Sequence, residues 1–137
     1  MTFDPDIHTE ALHLMETEIV AWLTTVTPDG VPQTSVICFV WDGETILTYS
    51  EPGKPKMRNV AANPNVSFHL NCDPYGTHMV TLEGTAAVDE TVPPSDEHGA
   101  WTAKHRDPYR HWGMDPHETA ATWTVALRIT PTRVRVW

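Results

Sequence analysis

The chain has 137 residues, of which 40% are hydrophobic, and a formal net charge of -9. This length fits one ordinary domain that can bury a core without disulfides, and the acidic balance argues against nucleic-acid binding because phosphate backbones are held by basic surfaces. No apolar run approaches the roughly 18 residues of a membrane helix, and the acidic N-terminus is unlike a secretory signal. We therefore expect a cytoplasmic protein that binds neither membranes nor nucleic acids.

The first part of the chain predicts one helix followed by three strands. Residues 5–16 place apolar side chains near helical spacing. The next run, 18–27, is rich in β-branched and aromatic residues, and a Pro-Asp-Gly turn separates it from a second strand at 31–41. The Asp42-Gly43 pair predicts a two-residue hairpin, with positive φ at both positions, into a third strand at 45–49. The three strands are expected to be antiparallel neighbours.

The second part predicts a short helix, two strands, a helical segment and a closing strand. Residues 54–62 form the short helix, and apolar spacing of two returns at 66–70 and 79–88. The strand pattern is lost over 93–121 and then resumes in a last strand, which Pro131 is expected to interrupt. Many short antiparallel strands with few helices favour a small barrel over a parallel sheet.

A basic cluster, Lys54, Lys56 and Arg58, lies on this acidic chain at the start of the short helix. Pro55 suits the first helical turn, where free N–H groups and the positive end of the helix dipole favour an anion. Because lysines in that turn oppose the dipole, their presence indicates a bound phosphate or carboxylate. The alternative is a solvated basic turn with no ligand.

Several motifs, in their order and spacing, resemble the pyridoxamine 5'-phosphate oxidase-like split β-barrel superfamily. They are Thr-Pro-Asp-Gly-Val-Pro-Gln at 27–33, Val-Trp-Asp-Gly at 40–43, Thr-Tyr-Ser at 48–50, Lys56 with Asn59, Asn-Pro-Asn-Val at 63–66 and Glu-Gly-Thr-Ala at 83–86. The ending at 128–137 resembles the actinobacterial subgroup that uses the deazaflavin coenzyme F420. The resemblance implies a mainly β split barrel with a few helices, filling residues 1–137 as a single domain. It also implies a homodimer with cofactors at the subunit interface.

The same resemblance implies the cofactor-binding residues. The phosphate would be held by Ser50, Lys56 and Asn59, with Lys54 as a nearby possibility. The second strand would run beside the ribityl chain and ring through Gln33, Thr34, Ser35 and Val36, unless it is an ordinary half-buried strand. Vitamin-oxidising members usually carry a basic pair where this chain has Pro55-Lys56, and a further Arg where it has Gln33. These departures favour F420 over FMN and weaken the case for a vitamin B6 substrate.

The function implied is that of an F420-dependent oxidoreductase that transfers a hydride from reduced deazaflavin to a small unsaturated organic substrate. The alternatives are an FMN-binding oxidoreductase of the pyridoxamine phosphate oxidase type and a non-enzymatic module that holds a flavin-type or haem-type cofactor. No catalytic residue is assigned, because the protein's part in such chemistry is orientation and exclusion of water. The sequence has no G-x-S-x-G, H-E-x-x-H, P-loop or G-x-G-x-x-G motif.

The histidines and cysteines predict no metal site. Four histidines of the late helical segment lie at 98, 105, 111 and 117. Pro108, Gly113 and Pro116 are expected to break any continuous helix there, and no ligand pair has i, i+4 spacing. One of these histidines, or His78, is a candidate proton donor to the substrate. The cysteines, at 38 and 72, are expected to be small buried side chains rather than a disulfide.

The six tryptophans fall into two groups. Trp22, Trp41 and Trp123 lie in strands and are expected to pack in the core or at a dimer interface. The others, at 101, 112 and 137, are candidates for the wall of a substrate groove. Aromatic walls would suit a flat conjugated substrate.

Overall fold

A computed structural model describes residues 3–6 and 8–137; Met1, Thr2 and Ile7, the last within the predicted first helix, lie outside the described residues. The strands are β1 (Val20–Val26), β2 (Pro32–Cys38), β3 (Val40–Trp41), β4 (Ile46–Ser50), β5 (Asn65–His69), β6 (Val80–Val88) and β7 (Val125–Val136). The helices are α1 (Thr9–Thr17), α2 (Pro55–Ala62), α3 (Gly99–Trp112) and α4 (Pro116–Thr122), with a short 3₁₀ helix at Ser95–Glu97.

The seven strands form one antiparallel sheet in the order β2-β1-β5-β6-β7-β4-β3. The two edge strands, β2 and β3, are separated in sequence by Phe39 alone. Since one residue spans only about 3.5 Å, the two edges of the sheet must meet at this corner, and the sheet curls into a barrel. The mainly β split barrel with a few helices is confirmed.

The corner at Phe39 corrects the predicted continuous strand at 31–41. The Phe39 ring is completely buried, and its carbonyl leaves the strand ladder to accept a hydrogen bond of 2.8 Å from Lys104 Nζ. The Lys104 ammonium also lies 3.7 Å from the centre of the Phe39 ring. The preceding carbonyl, of Cys38, accepts a 2.7 Å hydrogen bond from Thr48 Oγ1. These contacts turn the chain, so β4 pairs with β3 and β7 rather than with β2.

The core fills the barrel with side chains from almost every strand and from α1. Its fully buried large residues include Met15, Leu23, Phe39, Phe68, Leu127 and Ile129. The rings of Phe39 and Phe68 meet edge to face with centroids 5.2 Å apart. Each such side chain contributes about 1.5–3 kcal/mol through burial. The corner residue is therefore also a core residue.

A hairpin joins β3 and β4 as expected, but its turn is not centred on Asp42-Gly43: the Asp42 N–H donates to the Thr45 carbonyl at 3.1 Å, so Gly43 and Glu44 lie at the tip. Gly43 has a φ of 98°, whereas Asp42 is not among the described residues with positive φ. Asp42 instead accepts hydrogen bonds from the N–H groups of Glu44 and Thr45 on Oδ1. The turn is thus stabilised by an Asp side chain rather than by a second left-handed residue.

The helices after β6 correct the expectation that Pro108 breaks the segment. Pro108 lies inside α3. That helix ends just before Gly113, which has a left-handed backbone with a φ of 67°, and α4 begins at Pro116. Burial of Trp101 and Tyr109 on the same helix offsets the hydrogen bond that proline cannot donate. Within residues 3–6 and 8–137, no helix has the length and apolar character needed to cross a bilayer.

The pairing of β6 with β7 depends on a glycine. The ladder continues through Pro131, which was expected to interrupt it, but its register shifts between Glu83 and Gly84. A Cβ placed on Gly84 would lie 2.5 Å from the Thr130 carbonyl oxygen and 3.3 Å from Pro131 Cα. Both neighbours are backbone atoms, which cannot rotate away.

Gly84→Ala should therefore lower the free energy of unfolding by about 1–3 kcal/mol, because the added methyl forces β6 and β7 apart. Urea titration followed by circular dichroism measures the change. Gly99→Ala is the matched control, since no atom lies within 4 Å of its Cβ position and its φ is not positive. That control should be neutral or stabilising by about 0.4–1 kcal/mol. Equal effects of the two substitutions would contradict the close approach at Gly84.

Candidate functional site

A cleft of about 440 Å³ lies between the edge strand β2 and the start of α2. It is lined by Thr25, Gln33, Thr34, Ser35, Lys54, Pro55 and Lys56. Five of the eight residues expected at the cofactor thus line one cavity, although they come from segments about 20 residues apart. Val36 lines a neighbouring pocket, while Ser50 and Asn59 are buried and do not line the cleft.

The three cations of the basic cluster have different partners. Lys54 Nζ lies 3.0 Å from Glu51 Oε2, and Arg58 Nη1 lies 3.5 Å from the Gly53 carbonyl. Lys56 makes no hydrogen bond or ion pair with any residue in the described part of the chain. Burial, reinforced by the neighbouring Lys54, lowers the pKa of Lys56. An anion in the cleft would stabilise this ammonium against both effects.

The start of α2 adds a backbone donor to the same cavity wall. Gly53, with a φ of 81°, turns the chain after β4, and Pro55 occupies the first turn of the helix. Lys54 precedes the helix without a side-chain capping hydrogen bond, and its carbonyl accepts from Met57 N–H at 3.0 Å. The intervening N–H, of Lys56, has no partner among the described residues. An unpaired N–H and an unpaired ammonium on one residue suit a phosphate oxygen.

Asn59 lies behind the cleft and fixes one of its walls. Its Nδ2 donates to Thr25 Oγ1 and to Gln33 Oε1, both at 2.9 Å. Because the Gln33 carbonyl oxygen is occupied, its amide NH₂ is the end left for the cleft. Asn59 therefore acts through Gln33. Sequence reasoning missed Thr25, since a Thr in a β-rich run carries no signal beyond strand propensity.

Ser50 also lies behind the surface. It is 1% exposed, at the end of β4, where all five residues are buried, and its Oγ donates to the Glu51 carbonyl at 3.1 Å. The turn that follows is thereby attached to the barrel wall. The structure places Ser50 as a support for the basic turn rather than at the cavity surface.

A second, aromatic pocket of about 170 Å³ adjoins the cleft. Its aromatic lining consists of Tyr49, Trp101, Tyr109, Trp112 and Trp123, and Val36 and Lys56 border it on the side of β2 and α2. Lys56 lines both cavities. The expected groove-lining role thus fits the positions of Trp101 and Trp112, whereas Trp137 lies elsewhere and is 80% exposed. Trp123, expected in the core or an interface, also lines this pocket.

The polar groups of the aromatic pocket are uncharged apart from Lys56. The Tyr49 hydroxyl donates to the Pro93 carbonyl at 2.7 Å, and burial raises the pKa of Tyr49 to about 12. Tyr109 accepts a 2.8 Å hydrogen bond from Trp101 Nε1, and burial raises its pKa as well. Burial also raises the pKa of Cys38, against the opposing effect of Lys104. The pocket therefore offers neutral phenols and a neutral thiol.

None of the histidines named as proton donors lines the cleft or the aromatic pocket. His98 caps α3 by accepting from Trp101 N–H, His117 contacts Asp96, and His78 contacts Glu10 far along the chain. His105 is fully buried behind Trp101. Across residues 3–6 and 8–137, no three His, Cys, Asp or Glu side chains are grouped as metal ligands. Cys72, expected to be buried, is exposed, because it follows β5 in a surface loop.

The comparisons with known proteins agree on one family. The sequence profile of the pyridoxamine 5'-phosphate oxidase family matches residues 7–137. A candidate pyridoxamine 5'-phosphate oxidase of Listeria innocua is 26% identical, over 95% of this chain and 97% of its own, with a TM-score of 0.71. An F420 reductase is 28% identical, over 90% and 94% of the two chains, with a TM-score of 0.62.

A protein that is described as a haem storage protein has a similar fold. The haem storage protein HutZ of Vibrio cholerae is 19% identical, over 99% of this chain and 95% of its own, with a TM-score of 0.63. At that identity the likeness is one of fold alone. No curated protein sequence matches the chain.

Asn59→Ala should lower the free energy of unfolding by about 1–3 kcal/mol, because it leaves the buried Thr25 hydroxyl and the Gln33 carbonyl without their donor. Chemical denaturation measures the loss. Asn71→Ala is the matched control: Asn71 is exposed, and water can replace its 2.8 Å hydrogen bond with Trp22 Nε1. A loss of less than about 0.5 kcal/mol is expected there. Comparable losses in the two variants would show that Asn59 has no special supporting role.

His105 should make the chain less stable in acid. Burial lowers the pKa of His105 to about 4, so between pH 6.5 and pH 4 the unfolded chain protonates this ring while the folded chain does not. The free energy of unfolding should fall across that window, by roughly 3 kcal/mol for the full shift. Comparing the pH dependence of unfolding in the native chain and in His105→Phe isolates this group. His111→Phe, at an exposed position on α3, should keep the native slope. A native slope in His105→Phe would contradict the assignment.

Proposed function

Because the chain belongs to the pyridoxamine 5'-phosphate oxidase family, we propose that its cleft binds the phosphate of a flavin-type cofactor, with coenzyme F420 preferred to FMN. The single observation that supports this most strongly is Lys56. Its ammonium is partly buried, makes no direct ion pair with any residue of the described chain and belongs to a residue that lines the cleft and has an unpaired N–H. A partly buried cation without a partner is unfavourable, and a phosphate would remove that cost.

The residues around the cleft fit the rest of such a cofactor. The Gln33 NH₂ group, oriented by Asn59, offers donors to ribityl or ring oxygens. Thr34 and Ser35 place small hydroxyl side chains next to it on β2. Lys54 and Arg58 are exposed on the outer side of the turn, where the acidic tail of F420 would extend beyond its phosphate. FMN has no such tail, so Arg58, together with Lys54 where the tail competes with its Glu51 partner, favours the deazaflavin.

We further propose a homodimer with the cofactor at the interface. Within the described part of the chain, β2 is an edge strand whose one neighbour in the sheet is β1, and its residues from Pro32 to Thr34 are exposed. Val31 and Val36, at 54% and 52% exposed, present apolar surface on either side of the cleft-lining residues. A second subunit laid against this edge would cover the apolar side chains and close the open side of the cleft.

The reaction that this arrangement supports is reduction of a small unsaturated organic molecule. A reduced deazaflavin held in the cleft would supply the hydride for one carbon of a conjugated double bond and would be oxidised in doing so, with water as the source of the proton for the other carbon. The chain's contribution is to hold the phosphate through Lys56, to orient the ring along β2 and to exclude water with the neighbouring aromatic side chains. No side chain at the cleft is required as an acid, a base or a nucleophile.

Lys56→Ala should weaken binding of F420 and of FMN by roughly tenfold to a hundredfold, since it removes a charged hydrogen-bond donor to phosphate. Equilibrium titrations with the two cofactors, run in parallel, measure this loss and also decide which cofactor binds more tightly. Arg106→Ala is the matched control, because it removes the same charge from an exposed position on α3 away from the cleft. Unchanged affinity of Lys56→Ala for both cofactors would overturn the phosphate site.

Turnover then separates the enzyme from a binding module. Oxidation of reduced F420 by a conjugated ketone, quinone or tetrapyrrole would support the oxidoreductase. The absorbance of the cofactor monitors this reaction. Tight cofactor binding without turnover of any acceptor would favour a carrier or storage role. Tighter binding of FMN than of F420 would reassign the cofactor and leave the phosphate site in place.

A further inference from the structure

We infer that the aromatic pocket beside the cleft binds a neutral, planar, one-ring or two-ring carbonyl compound whose oxygen accepts a hydrogen bond from Ser95 Oγ. The inference rests on the proposed function only in naming this compound, an α,β-unsaturated ring ketone or quinone, as the hydride acceptor. Binding of the ring itself follows from the pocket and can be tested separately.

The observation that points to a ligand is the Ser95 hydroxyl. Ser95 is 2% exposed, lies in the 3₁₀ helix between β6 and α3, and lines the aromatic pocket. Its Oγ has no hydrogen-bond partner of normal geometry in the described chain. The nearest polar group is the Tyr109 hydroxyl: a weak hydrogen bond from Ser95 opposes in small part the rise that burial causes in the pKa of Tyr109, but its geometry does not satisfy the Ser95 hydroxyl. An unsatisfied buried hydroxyl is unfavourable, and a carbonyl oxygen bound in the pocket would remove that cost.

Lys56 lies at the border of the pocket, and most of the pocket's other polar side chains already have a partner in the chain. Tyr49 donates to Pro93, and the Tyr109 hydroxyl accepts from Trp101. The remaining surface consists of aromatic faces and of aliphatic and sulfur side chains such as Val36 and Met114. A ligand that matches this lining has one hydrogen-bonding oxygen on an otherwise apolar ring, because each further polar group would lose its water without gaining a partner.

The size of the pocket and the neutrality of its lining restrict the class of ligand. An apolar cavity of about 150 Å³ holds a benzene ring, so about 170 Å³ admits one ring, with a second at the mouth where the pocket meets the cleft. A tetrapyrrole is too large for this space. A carboxylate or phosphate would bind Lys56 at the border rather than enter, since the phenols and the thiol inside are neutral. A ring that is planar can stack on the aromatic walls.

Because the aromatic pocket adjoins the cleft, a ring ketone bound in it is also suitably placed to accept a hydride. Val36 of β2 and Lys56 of α2 border the pocket, and Gln33 to Ser35, just before Val36, line the cleft. A ring at the mouth of the pocket would therefore face a cofactor ring lying along β2. The Ser95 hydroxyl, in the lining of the same pocket, would hold the carbonyl oxygen on which negative charge develops as the conjugated double bond accepts a hydride.

The test uses 1-indanone, a planar two-ring ketone that does not alkylate thiols, and indane, which has the same rings without the oxygen. Titration of the full chain without cofactor, followed by protein chemical shifts, should show 1-indanone binding more tightly than indane. Ser95→Ala should weaken 1-indanone roughly threefold to tenfold and leave indane unchanged, because only the carbonyl hydrogen bond is lost. Ser67→Ala, at an exposed position on β5, should change neither affinity.

Met114→Trp provides a second variant that does not depend on Ser95. Met114 lines the pocket in the loop between α3 and α4 and is outside the core clusters, so a larger side chain there should fill the pocket and abolish binding of both ligands without unfolding the chain. Equal weakening of the two ligands in Ser95→Ala, or undiminished binding in Met114→Trp, would overturn the inference, as would no binding of 1-indanone to the native chain.

The two proposals fail in different ways. If F420 or FMN binds but 1-indanone does not, the pocket assignment is wrong and the cofactor site stands. If 1-indanone binds with the expected dependence on Ser95 while neither cofactor binds, the ring site stands and the proposed function fails.

Discussion

The corner at Phe39 is the constraint on which the rest of the molecule depends. The two edge strands of the sheet, β2 and β3, are consecutive in the sequence. The chain therefore closes the barrel at the residue that joins them. The corner is held by a buried ring inside and by the Lys104 ammonium outside. Because β2 ends there, it is left as an edge strand, with the cleft near its beginning and the aromatic pocket at its end. The location of both cavities follows from this closure.

Two partly buried lysines differ in whether their ammonium groups have a partner. Burial lowers the pKa of Lys104 to about 8, yet its ammonium donates to the Phe39 carbonyl and lies over the Phe39 ring. Lys56 is also partly buried and its pKa is lowered, but its ammonium makes no hydrogen bond, ion pair or cation–π contact with the described residues, and the more distant carboxylate of Glu51 only opposes the lowering. The first lysine is a structural cross-link between α3 and the barrel corner. The second is desolvated without a direct partner, which is the reason for assigning the anion to it.

The sequence predicted most elements of the fold and about half of the candidate site. Alternating apolar residues and turn signals identified the strands and α2, because these signals are local. The break at Phe39 and the continuation of α3 through Pro108 depend on Lys104 and on packing, which are distant in sequence. At the site, Lys54 and Lys56 were visible as charges of unexpected sign. Thr25 and Ser95 were not, since a Thr or Ser becomes notable only when its burial and its missing or present partners are known.

Lys56 borders both cavities, and this shared position has a thermodynamic consequence. An anion bound in the cleft as proposed would neutralise the ammonium and reduce the electric field at the border of the aromatic pocket, where an apolar ring must displace water. Because a coupling free energy is reciprocal, a ring in the pocket would then strengthen retention of the anion by the same factor. Lys56 alone would couple the two proposed sites, and no change in backbone conformation would be needed.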